Sequence, residues 1–148
     1  MGRSKTKLLE REINSLLAGE MRDAGFLVLQ ELRLHPCEMD VVLFDRCTLQ
    51  LANFEIKRTN WKAVLSQAIR ATLYCHFSIA VLPASLRNTA PVDEFFSRGI
   101  GLVFYEERDG KLDLTIANKP SVSTVINRPL KQLVYREFHA QFGDLVYA

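Results

Sequence analysis

The sequence predicts one α/β domain built on a central mixed β-sheet, with the core order α-β-β-β-α-β and flanking helices. Three observations carry the prediction. A helical repeat near the N-terminus leads into three strand-like runs separated by short turn signals. A second helical repeat follows them. After it comes a continuous apolar run, Phe77 to Leu82, which suits a central strand covered on both faces. A β-α-β crossover would set that strand parallel to the one before it. With 148 residues, 48% of them hydrophobic, the chain has material for one core, so residues 1–148 are expected to form a single domain.

Each element has its own local signal. Leu9, Ile13, Leu16, Leu17 and Ala24 recur at helical spacing, predicting a helix from about residue 6 to residue 24 that ends before Gly25. Phe26 to Leu34 is rich in β-compatible residues and stops at the turn signal His35-Pro36. Met39 to Phe44 forms the second strand, Asp45-Arg46 turns the chain, and Leu49 to Lys57 forms the third. Asn60 can cap a second helix, whose stripe of Val64, Leu65, Ala68, Ile69, Thr72 and Leu73 extends to about His76. Past the strand at Phe77 to Leu82, Pro91 to Arg98 reads as a short helix opened by proline, and Gly101 to Glu106 as a strand. Asp109-Gly110 is a hairpin turn into a strand from Leu112 to Ile116. A last helix is expected from Pro129 to Phe142, starting near Asn127, which gives a sheet of five or six strands.

Composition excludes more than it selects. Nineteen Lys and Arg against 17 Asp and Glu leave a net charge of +2, so nucleic-acid binding would need basic residues gathered around a site. Cys37, Cys47 and Cys75 show no C-x-x-C or Cys/His pairing, which disfavours zinc; the odd count suits reduced thiols in a cytoplasmic setting. No apolar run reaches membrane-spanning length, and the N-terminus lacks the apolar core of a secretory signal. Met1-Gly2-Arg3-Ser4-Lys5-Thr6 formally matches a myristoylation pattern, but the match is short and the favoured reading is a frayed basic tail.

The chemistry-bearing stretch is Glu38-Met39-Asp40, followed by Phe54-Glu55-Ile56-Lys57-Arg58 and then Gln67. Alternate strand residues share a face, so the E-x-K spacing points Glu55 and Lys57 the same way. If Asp40 ends the adjacent strand, its carboxylate converges with Glu55 on one hard cation, most naturally Mg²⁺ (or Mn²⁺), which takes oxygen ligands and keeps several waters. Such an ion polarises a phosphoryl oxygen and lowers the pKa of a bound water. Lys57 would position that water. Alone, E-x-K is as common as any exposed cross-strand charge pair; its company gives it weight here.

At these residues the chain resembles the PD-(D/E)xK nuclease superfamily, most closely its small Holliday-junction-resolvase-like members, over roughly residues 8 to 83. The resemblance implies a restriction-endonuclease-like fold and metal-dependent hydrolysis of DNA, with Asp40 and Glu55 as metal ligands and Lys57 activating water. It also implies a supporting glutamine on the following helix, matched by Gln67, and a glutamate on the first helix. For that last role Glu12 is the candidate and Glu20 the alternative. The chain departs from the family pattern by Met39 in place of proline before Asp40, and by Ala71 where a tyrosine often follows the glutamine. A homodimer is expected by the same analogy.

Around the E-x-K segment, Arg58, Trp61 and Lys62 are candidates for a phosphate and base-stacking surface at a helix N-terminus, and Arg70, on a helix face with Gln67 and Tyr74, is a further nucleic-acid-binding candidate. Trp61 is as readable as a core anchor, and Gln67 as a polar helix boundary. Glu38 reads as a solvated strand-end charge, Glu31 as either a structural charge or a second-metal ligand, and His35, His76 and His139 as structural residues. The rival readings of the whole chain are a catalytically inactive nucleic-acid-binding or assembly module with this fold, and a purely protein-binding partner.

Overall fold

The computed structural model describes residues 9–147; the N-terminal myristoylation pattern and the first turn of the expected helix lie outside them. Six strands form one sheet in sequence order: β1 (Leu27–Leu34), β2 (Cys37–Asp45), β3 (Gln50–Ile56), β4 (Phe77–Pro83), β5 (Gly101–Arg108) and β6 (Lys111–Asn118). β1, β2 and β3 form an antiparallel meander, β3, β4 and β5 run parallel, and β6 returns antiparallel. The sheet is therefore mixed, as expected, at the upper end of the expected strand count.

Helices lie on both faces. α1 (Glu10–Asp23) buries Ile13, Leu17, Ala18 and Met21 against Val28, Val41, Ile56 and Val81. The opposite face is covered by α2 (Trp61–Ala71), α3 (Val92–Ser97) and α4 (Arg128–Phe142), through residues such as Val64, Ala68, Phe95, Val134 and Phe138. Local chemistry sets the helix starts. The Asn60 side chain accepts from the Ala63 N–H at 3.1 Å and the Asn127 side chain from the Leu130 N–H at 3.1 Å, each satisfying a donor the helix leaves unpaired. Gly25, at φ 98°, follows α1 in a conformation that favours glycine. Asp109 and Gly110, at φ 51° and 76°, make the tight hairpin between β5 and β6.

α2 ends at Ala71, five residues before the expected His76. The expected buried stripe stops with it: Thr72 is half-buried and Leu73 exposed, and the chain leaves the helix so that Tyr74 and Cys75 pack with Val134 and Phe138 of α4 while His76 joins the sheet. The His76 Nδ1 accepts from the Leu51 N–H at 2.9 Å, and the His76 N–H donates to the Leu51 carbonyl at 3.0 Å. Those two bonds start β4 alongside β3. Among the described residues no helix is long and apolar enough to cross a membrane.

Candidate active site

The β2–β3 ladder opens where the candidate acids sit. Its last facing pair is Val41 with Phe54. One step further, where Asp40 would face Glu55, the Asp40 carboxylate turns into the gap, and its Oδ2 accepts from the Ile56 main-chain N–H at 2.8 Å. The carboxylate thus replaces a ladder carbonyl. A change in side-chain alternation permits this. In β2, Cys37 and Met39 precede the point and Val42 and Phe44 follow it in the same apolar cluster; in β1, Leu29 and Leu32 flank a matching change at Glu31, which has φ 51°.

Glu55 lies on the same sheet face as Asn53, whose amide bonds the Ser78 hydroxyl, itself bonded to the Ala68 carbonyl of α2. It is 1% exposed, and its Oε1 has no hydrogen-bond partner. Burial, then the neighbouring Asp40 charge, push its carboxyl up to about 9, opposed by the Asn53 amide and Lys57. Asp40 is also raised by burial, against the pull of the Ile56 N–H, Glu55 and Lys57. The two carboxyls titrate as a coupled pair, and both burial and the hydrogen bond between them favour the proton on Glu55 over Asp40.

Lys57 follows the end of β3. Its N–H donates to the Val81 carbonyl at 3.2 Å, while its Nζ reaches across to the Glu10 carboxylate, 4.0 Å away. Glu10 also accepts from the Arg58 N–H at 3.1 Å. It therefore caps the exit of β3 from the first turn of α1. The glutamate expected in this place was Glu12. Instead, the Glu12 side chain accepts from the Leu9 N–H at 3.1 Å and lines an open groove with Arg11, Ser15, Gln30 and Glu31; Glu20 is exposed. The helix spacing fits Glu10, one turn before Asn14 on the buried face of α1. The signal in the sequence was that i, i+4 relation, since residues 10, 14, 17, 18 and 21 form one stripe.

The other expected residues divide. Gln67 lies on α2, with its Oε1 buried and without a hydrogen-bond partner. Burial and then Glu55 push the Cys37 thiol up to about 11, against the pull of Arg70, which is exposed one turn on from Gln67. Trp61 is half-buried against Phe95, with ring centroids 6.3 Å apart, and carries the Lys62 ammonium 5.7 Å above its ring. It serves the core and the surface at once. Tyr105, on β5, was not expected: buried beside Arg58 and Glu10, its hydroxyl is pushed up to about 12, chiefly by burial. Glu38 and His35 are exposed.

The donor set suits a hard cation. Asp40 and Glu55 offer adjacent oxygen donors, one of them buried and unsatisfied, and Glu10 stands nearby. Among the described residues no group of three or more His, Cys, Asp or Glu side chains is placed to hold a metal ion, so the protein's own donors at this point are the pair Asp40 and Glu55. Two carboxylates with water completing the shell is the arrangement Mg²⁺ prefers.

No protein-family model matches the chain, and no curated protein matches it. Among solved structures it is similar to SPO1766, a protein of unknown function from Silicibacter pomeroyi, with a TM-score of 0.65 at 13% identity over 92% of this chain and 88% of that one. Pyrococcus furiosus SfsA, solved in complex with Ca²⁺, matches with a TM-score of 0.38 at 11% identity over 76% of this chain and 61% of that one. The first likeness shows a shared mixed α/β fold.

Proposed function

We propose that this protein is a Mg²⁺-dependent nuclease of the PD-(D/E)xK type, on a restriction-endonuclease-like fold, hydrolysing phosphodiester bonds of DNA. The observation that carries the reading is Glu55, a buried acid with an unsatisfied oxygen, held beside Asp40 and followed two residues on by Lys57. A carboxyl kept dry with an orphan acceptor costs stability unless a ligand satisfies it. A divalent cation does so, and would supply Lewis-acid activation of the phosphoryl group and of a water.

The chain's own residues do the rest. Asp40, fixed by the Ile56 N–H, and Glu55 hold the ion. Lys57, 29% exposed at the strand end, orients the attacking water and offsets charge building on the phosphate; Glu10 restrains the Lys57 ammonium. Gln67 offers its buried carbonyl to the water or to a metal-bound ligand. Arg58 and Lys62, with the Trp61 ring, give the DNA backbone cationic contacts around the start of α2, and Arg70 adds one at its last turn. The three unpaired cysteines suit a reducing cytoplasmic setting.

The test is a cleavage panel on single-stranded, duplex, flapped and four-way DNA in Mg²⁺ or Mn²⁺, with Ca²⁺ as a binding-only control. Cleavage that is lost in a folded Lys57→Ala protein supports the reading. Cleavage unchanged by that substitution overturns it. DNA retention with no cleavage of any substrate would instead identify a catalytically inactive binding or assembly module, and the lack of salt-dependent DNA affinity a protein-binding role.

A further inference from the structure

β6 ends the sheet. Its inner side pairs with β5 from Arg108↔Lys111 to Leu102↔Asn118, and among the described residues no strand pairs with its outer side. An open edge of eight residues presents a row of main-chain donors and acceptors, and natural proteins usually blunt such an edge with charge, proline or a covering segment. The protection here is partial: a bulge near Ala117 and lysines at the two ends, Lys111 and Lys119. Between them the strand reads Leu112-Asp113-Leu114-Thr115-Ile116.

The apolar residues of that segment share one face. Leu112 is buried against the α1-side core, while Leu114 is 41% and Ile116 62% exposed. On the other face α3 packs against β5 and β6 and carries Phe96, 68% exposed. Phe96 and Ile116 are the two most exposed large apolar side chains of the described residues, and they belong to the two elements that flank the same open edge.

We propose that β6 is the dimer interface of this protein, pairing antiparallel with β6 of a second copy so that two six-stranded sheets become continuous. The sequence of the strand selects the register. Centred on Leu114, the pairing sets Leu114 opposite itself and Leu112 opposite Ile116 of the second copy, an unbroken apolar ladder that ends before the bulge. On the reverse face Asp113 meets Thr115. Shifted one way, to Asp113, the pairing opposes two aspartates; shifted the other, to Thr115, it opposes Lys111 and Lys119. Only the Leu114-centred register combines apolar complementarity with no facing like charges. The inference is independent of the nuclease assignment, because it is read from oligomeric state and not from cleavage.

Sedimentation velocity across a concentration series tests it. The wild type is expected to be dimeric at high concentration, and Ile116→Lys, at an exposed site, to weaken association by about tenfold or more without lowering the melting temperature. Register is read by Leu114→Cys in a Cys47→Ser background, which is expected to form a disulfide-linked dimer on mild oxidation; Thr115→Cys in the same background cross-links less. A wild type that stays monomeric overturns the proposal. So does a dimer that Ile116→Lys leaves intact, or one in which Leu114→Cys fails to cross-link.

Discussion

The Asp40 carboxylate holds the Ile56 main-chain N–H at 2.8 Å, across a separation of 16 residues. A side chain of β2 thereby closes the hydrogen-bond ladder of β3 at the point between Glu55 and Lys57. The bond fixes the acid independently of any ligand, so charge and position at Asp40 can be separated experimentally. Asp40→Asn keeps an acceptor for the N–H and is expected to melt within about 1 kcal/mol of the wild type, whereas Asp40→Ala orphans that donor and costs about 1–3 kcal/mol. Both should lose Mg²⁺ affinity, measured by titration calorimetry beside thermal melting.

Glu55 makes metal-free stability depend on pH. Its folded carboxyl is raised from 4.5 to about 9, mainly by burial. The folded state therefore holds a proton that the unfolded state has released, and the contribution is complete below the unfolded value and fades as pH rises through the folded one. Without metal, the protein should lose stability between about pH 5 and pH 9. Glu55→Gln, which cannot ionise, should flatten that slope and melt higher than the wild type at pH 8. Denaturant melts across the range decide it, and an unchanged slope would remove Glu55 as its source.

Mg²⁺ should act against the same proton. A cation at Asp40 and Glu55 requires the carboxylate, so binding releases a proton and the affinity rises with pH. Calorimetry in buffers of different ionisation heat reads the proton directly. In Glu55→Gln no proton should be released.

Glu10 and Glu12 should behave oppositely. Glu10 touches both Lys57 and the Arg58 N–H, so Glu10→Gln is expected to cut cleavage by at least about tenfold with little change in melting. Glu12 serves only the first turn of α1, and Glu12→Ala should cost at most about 1 kcal/mol of stability. Steady-state cleavage and melting of both variants separate the two roles.

Gly101, at the start of β5, has no room for a side chain. A Cβ there would meet Pro120 Cδ at 2.9 Å and Ile79 Cγ1 at 3.0 Å. Gly101→Ala should destabilise by about 1–3 kcal/mol through overpacking. Chemical denaturation measures it.

Much of this was legible in the residues. The order of helices and strands, the caps at Asn60 and Asn127, the hairpin at Asp109-Gly110 and the burial expected of the Phe77 to Leu82 run each depend on a few neighbouring residues. Periodicity reports such features because the interactions that set them are local. The spacing of Glu55 and Lys57 was also readable, since alternation along a strand is chain-local, whereas Asp40, expected at a strand end, lies inside β2.

Three things were decided only in three dimensions. That Glu10 rather than Glu12 meets Lys57 and the Arg58 N–H follows from how α1 sits across the sheet, a contact spanning 48 residues from Glu10 to Arg58. The inward turn of Asp40 follows from a paired change of alternation in β1 and β2, which neither strand shows alone. The open edge at β6 follows from strand order, because the alternation of Leu112, Leu114 and Ile116 reads the same in a covered strand as in an exposed one. The sequence determined which groups were available and on what period they recur. The tertiary structure decided which of them meet, because helix placement and ladder register are settled by packing between segments distant in the chain.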